Sequence, residues 1–139
     1  MNAITESFIV STGGKGTYAI TADVEEILVR SGIKTGIVTI FIQHTSASLV
    51  IYENADPKAR ADLHSFFEEL VPEDHPGLIH TAEGPDDSTS HLKMVLTRTS
   101  ESVPVASGRL QLGVWQGIYL FEHRNAPHRR SVVVSLLGN

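Results

Sequence analysis

The stretch Ile37-Val38-Thr39-Ile40-Phe41-Ile42-Gln43-His44 decides how the chain is built. Its β-branched and aromatic residues pack well on a pleated surface, and both faces of the run are largely apolar. It therefore predicts a strand in the interior of a sheet. Alternation puts His44 on the same face as Val38, Ile40 and Ile42. Upstream, residues 7–12 predict an earlier strand, and Gly13-Gly14-Lys15-Gly16 a turn that tolerates positive φ. These glycines lack the Gly-Lys-Ser/Thr ending of a phosphate loop. Thr21 is placed to cap a helix in which Val24, Ile27 and Leu28 recur at helical spacing, with Gly32 to end it. Downstream of Thr45-Ser46-Ala47-Ser48, residues 49–52 predict a second short strand.

Asp56-Pro57 is a strong helix start, an N-cap followed by proline at the first helical position. Ala59, Leu63, Phe66, Phe67 and Leu70 keep the helical period until Pro72 stops it. Residues 72–90 hold three prolines, two glycines, five acids and two histidines without any periodic apolar pattern. So long a structureless stretch in a small domain is usually functional or disordered. Residues 91–96 predict a short helix capped by Ser88, Thr89 or Ser90. Val103-Pro104-Val105 suits an edge strand, because proline cannot donate to the ladder. Residues 109–112, 118–122 and 129–137 predict the remaining strands. The expected fold is α+β: one domain over residues 1–139, with a mostly antiparallel sheet or sandwich of about seven strands and two to three helices.

The chain has 139 residues, 11 Lys plus Arg against 16 Asp plus Glu, seven histidines and no cysteine. Disulfides, thiolate metal sites and cysteine nucleophiles are therefore excluded. The net charge of −5 argues against nucleic acid as a partner, since that affinity rests on a basic face. No apolar run approaches the roughly 20 residues that span a bilayer, and the N-terminal residues do not resemble a secretory signal. A cytoplasmic protein with no membrane partner is the expectation. Any transition metal must be bound through imidazole and carboxylate.

Two polar groups then draw attention. His44 ends an apolar strand, a setting in which histidine is most often just a hydrogen-bonded core residue. His80 and His91 flank the acidic segment that holds Glu83, Asp86 and Asp87. Their spacing matches no self-sufficient metal motif, and a solvated acidic loop is the plain alternative. Taken together, His44, His80 and His91 could converge on a divalent ion, with zinc first and magnesium or manganese as alternatives. Glu83, Asp86 or Asp87 would then orient the imidazoles, or one of them would ligate the ion directly, with Asp87 or Glu83 the candidate base. Arg109, Lys93, Arg124, His128 and the Arg129-Arg130 pair supply cations suited to a small phosphorylated molecule, although an exposed basic turn is the commoner reading of the pair. Trp115 and Gln116, between Gly113 and Gly117, are placed to contact a ligand. Ser46 and Ser48 lack a recognisable base, and no GxSxG elbow is present.

Five blocks carry a resemblance. In order they are His44-Thr45-Ser46-Ala47, Glu53-Asn54-Ala55-Asp56-Pro57, His80 through Asp86-Asp87 to His91-Leu92-Lys93, Gly108-Arg109-Leu110, and Leu112-Gly113-Val114-Trp115-Gln116-Gly117-Ile118. Together they resemble the YjbQ-like family of small proteins over essentially the whole chain. Val114 departs from that family's usual threonine, so a hydroxyl is lost there. The resemblance implies an α+β fold that assembles as a homotrimer, with a metal held by His44, His80 and His91. It also implies an activity like that of a secondary thiamine-phosphate synthase, which joins a pyrimidine diphosphate to a thiazole phosphate and releases pyrophosphate. Arg109 and Lys93 would balance the departing charge. A non-enzymatic metal- or metabolite-binding trimer and a hydrolase using metal-activated water are the competing expectations.

Overall fold

The computed structural model describes residues 1–139. In chain order the elements are β1 (Asn2–Thr12), β2 (Gly16–Ala19), α1 (Thr21–Ser31), β3 (Gly36–Ile42), β4 (Ala47–Glu53), α2 (Pro57–Leu70), α3 (Asp87–Leu96), β5 (Ser100–Ala106), β6 (Arg109–Leu110), β7 (Gln116–Glu122) and β8 (His128–Gly138). Five strands form one sheet in the order β1-β8-β3-β5-β6, and three form a second in the order β2-β7-β4. Every ladder is antiparallel. The fold is α+β, with eight strands and three helices.

The core lies between the two sheets and is closed by α1. Val38, Ile40 and Ile42 of β3 and Val132, Val134 and Leu136 of β8 are buried in one cluster with Leu49, Ile118 and Leu120 of the smaller sheet. Val24, Ile27 and Leu28 add the apolar stripe of α1. Each such side chain contributes roughly 1.5–3 kcal/mol by leaving water. The sequence expectation that β3 is apolar on both faces holds, but only one face is covered. Ile37 and Phe41 point outward and are 51% and 43% exposed.

That outer face has an unusual composition. Register places Ala3, Thr5, Ser7 and Ile9 of β1 beside Leu137, Ser135, Val133 and Ser131 of β8. Ile37, Thr39 and Phe41 continue the rows onto Pro104, Ser102 and Ser100 of β5. None of these residues carries a charge. At one end of the sheet Gly36 pairs directly with Gly138. A Cβ on Gly36 would lie 2.1 Å from the Leu137 carbonyl oxygen, and one on Gly138 would lie 2.1 Å from that of Thr35, so close approach of the backbones requires both glycines.

Several local expectations change. β1 begins at Asn2, five residues before the expected start, because its polar first half pairs with the end of β8. Thr21 does not cap α1; its Oγ1 accepts from the Ile118 N–H at 2.8 Å and ties the helix to β7. Asp56 caps α2 as expected, accepting from the Lys58 N–H at 2.9 Å. α2 buries less than its pattern suggests, with Phe66 and Leu70 exposed while Phe67 packs edge-to-face on Phe121. α3 starts at Asp87 rather than His91, because Asp87, Thr89 and Ser90 are buried against the body of the protein. β5 is not the edge: β6 pairs with its far side, and the Pro104 carbonyl accepts from the Gln111 N–H at 2.9 Å. No helix is long and apolar enough to cross a membrane.

Candidate metal centre

Starting α3 at Asp87 puts Asp87 and His91 one turn apart on the same helix face. The preceding irregular segment brings His80 to the same place. His80 Nε2 lies 2.7 Å and His91 Nε2 3.1 Å from Asp87 Oδ2. The ligand atoms of these three residues all lie within 4.8 Å of one another. Asp87 is buried, His91 is partly covered and His80 is exposed, so the group opens to solvent on the His80 side.

Hydrogen bonds fix the protons. The Thr45 carbonyl lies 2.6 Å from His91 Nδ1, and a carbonyl only accepts, so Nδ1 carries the ring proton. The neutral ring then presents a lone pair at Nε2 towards the Asp87 carboxylate, and two acceptors face each other across 3.1 Å. That arrangement calls for a cation between them, a proton on His91 or a metal ion.

Asp87 is held ionised. Burial would raise its carboxyl, but the His80 hydrogen bond, the His91 charge and the Arg124 guanidinium hold it below the usual carboxylate range. Arg124 clamps the site by donating from Nη1 to Asp87 Oδ1 at 2.5 Å, from Nε to Asp86 Oδ2 at 3.1 Å and from Nη2 to the Glu83 carbonyl at 3.1 Å. Asp86 also accepts from the Asn125 N–H at 2.8 Å. Arg124 and Asn125 thus fasten the irregular segment before α3 to the end of β7. A cavity of about 290 Å³ beside His80 is lined also by Glu73, Thr81 and Ser88.

The other expected site residues are placed elsewhere in the chain. His44 is not brought into the group, because its Nε2 accepts from the Ser131 N–H at 2.7 Å and the ring is tied to β8. Burial, and then the charge of Arg130, push its pKa below the ordinary histidine value. Glu83 meets the site only through its carbonyl. Lys93, on the other side of α3, is 1% exposed and paired with Glu68. Its pKa is lowered, first by burial and also by the charge of Lys15. Arg109 lies at the far sheet edge, beside Glu25 and Leu28 of α1. Trp115 is 63% exposed, and the Gln116 side chain is occupied in accepting from the Gly113 N–H at 2.7 Å.

Sequence reasoning passed over Glu122 and His123, and it named Arg124 and Arg130 only as cations near the final turn. Glu122 and Arg130 form a fully buried ion pair, with Arg130 Nε donating to Oε1 at 2.8 Å and Nη2 to Oε2 at 2.5 Å. His123 is buried, with Nε2 2.8 Å from Ser48 Oγ. Burial, then the Lys93 and Arg130 charges, lower its pKa to about 3. That pair has the chemistry of an activated serine, but both residues are at most 1% exposed, so no substrate reaches it.

The family model described as UPF0047 protein YjbQ-like matches residues 6–139. The chain belongs to the YjbQ-like UPF0047 family. It is 47% identical over 133 residues to UPF0047 protein sll1880 of Synechocystis sp., covering 96% of this chain and 90% of that one. UPF0047 protein YjbQ of Salmonella typhimurium is 42% identical over 127 residues, with 89% and 90% covered. The crystal structure of hypothetical protein APE1520 from Aeropyrum pernix K1 superposes with a TM-score of 0.90 at 31% identity, covering 98% of this chain and 99% of that one. The conserved hypothetical protein TT1486 from Thermus thermophilus gives a TM-score of 0.85 at 37% identity, with 95% and 99% covered. In YjbQ-like terms, the five sequence blocks do not form one constellation in this chain: the His80 to His91 block builds the acceptor cluster, while the Arg109 block and the tryptophan block lie elsewhere.

Proposed function

We propose that this YjbQ-like protein is a metal-dependent enzyme acting on a small phosphorylated molecule, with a divalent ion held by His80, Asp87 and His91. The observation that carries this reading is the pair of acceptors, His91 Nε2 and Asp87 Oδ2, facing each other beside His80 Nε2. Two imidazoles and a carboxylate suit zinc best, with magnesium or manganese as alternatives. Such an ion supplies Lewis acidity at a phosphate oxygen or a water. Thr45 orients His91 through its carbonyl, and Arg124 fixes Asp87 and keeps it charged. The reaction we assign is that implied by the family resemblance: a pyrimidine diphosphate joined to a thiazole phosphate, with loss of pyrophosphate. We place it in the cytoplasm and, on the same resemblance, as a homotrimer.

Metal analysis of the purified protein is the direct test. About one ion per chain is expected in the wild type, and Asp87→Asn and His91→Ala should each lower the affinity by about 10- to 100-fold or more. Unchanged metal content in both variants would remove the site. Incubating the metal-loaded protein with the two phosphates then tests the reaction. Absence of product above a metal-only blank would sink the synthase assignment.

A further inference from the structure

A second, separate mismatch of hydrogen-bonding groups lies next to Thr45. The Ser131 backbone N–H, which only donates, is 2.7 Å from His44 Nε2, so the ring's single proton is on Nδ1. Nδ1 in turn lies 3.5 Å from Arg130 Nη1, which also only donates. Two donors therefore face each other with no acceptor between them. The metal centre shows the reverse, two acceptors that a shared cation would join.

The surroundings make this a built site. Arg130 is 3% exposed, and its Nε and Nη2 are locked in a parallel fork on the Glu122 carboxylate. Nη2 also donates to Ser46 Oγ at 2.9 Å and to the Ser46 carbonyl. Glu122 is itself fixed by the Thr12 hydroxyl and by the backbone N–H groups of His123 and Arg124. Nη1 is thus the one guanidinium nitrogen left for a ligand, on a group with no rotational freedom to lose. His44, Ser46, Arg130 and Met94 line an open cavity of about 480 Å³. Thr45, on the wall of that cavity, is the residue whose carbonyl holds His91.

We infer that His44 Nδ1 and Arg130 Nη1 form an oxyanion cradle that accepts a phosphate or carboxylate oxygen of a small ligand. His44 is then an anion-binding residue rather than a metal ligand. The cradle deepens the proposed function by giving the substrate's anionic end a place; it rests on that reading only in taking the ligand to be the substrate, since the donors exist without any metal.

Titration calorimetry on chelator-treated protein tests the cradle apart from the metal. Inorganic phosphate is the first probe and acetate the second, in separate arms that distinguish the two oxyanions. Binding of either is expected without metal. His44→Gln keeps an acceptor for the Ser131 N–H but removes the donor at the Nδ1 position, and should weaken binding about tenfold or more. Nitrogen-15 NMR of the wild type gives a readout independent of any variant: His44 should carry its proton on Nδ1, and that resonance should move on adding the anion. A proton on Nε2, no binding of either anion, or binding unchanged in His44→Gln overturns the cradle. Phosphate binding that appears only with metal also overturns it, while leaving the metal centre standing.

Discussion

His123 shows how burial turns a common residue into a pH-sensitive one. An unfolded histidine takes a proton near 6.5, whereas His123 in the folded chain does so only near about 3. Below pH 6.5 the unfolded state therefore binds a proton that the native state refuses. This contribution to stability is complete above pH 6.5 and is lost progressively as the pH falls towards 3, by as much as about 5 kcal/mol at the bottom of that window. His123→Gln can still bond Ser48 but cannot titrate, so its melting temperature should fall less steeply between pH 6.5 and 4. Parallel melting curves for the two proteins would count against this account. Residues of this kind were illegible in the sequence. Glu122 read only as the end of a strand, His123 as a turn residue, and Arg124 and Arg130 as cations near the final turn, because their partners Thr12, Ser46, Ser48 and Asp86 lie far away in the chain. Asp87 and His91 left a signal that could have been read, an acid and a histidine four apart. Starting the helix at His91 hid it.

At the scale of elements, what was legible is what local sequence determines. The β-branched run of β3 and the Asp56-Pro57 start of α2 needed only propensity and capping to be placed. The first half of β1 needed its partner, since Asn2–Glu6 forms a strand only by pairing with Val134–Gly138. The paired Gly36 and Gly138 carry a prediction at this scale. Gly36→Ala puts a methyl where the Leu137 carbonyl already stands, so β3 and β8 must separate locally. Urea unfolding should show a loss of about 1–3 kcal/mol. An unchanged midpoint would mean that the two backbones do not approach as closely as described.

For the whole molecule, the outer face of the five-stranded sheet, uncharged across its central rows with Arg129 and Arg109 at its margins, bears on the proposed homotrimer. Rows of Ser, Thr, Val and Ile with Phe41 and Leu137 exposed are poorly matched to water alone, whereas a single-sided sheet normally shows polar and charged residues outward. Light scattering should give the mass of three chains, and Phe41→Glu should reduce it to one while the circular dichroism spectrum stays the same. A monomeric wild type would discard the assembly.

The strand order has a further consequence for how the protein comes into being. β8 is the last strand in the chain, yet it lies between β1 and β3, pairing with each along its length. While the ribosome is still making the chain, β1 and β3 have no partner on those edges, and their apolar residues must wait. The larger sheet closes only when the final strand arrives, so folding is committed late, through contacts between the two extremes of the sequence.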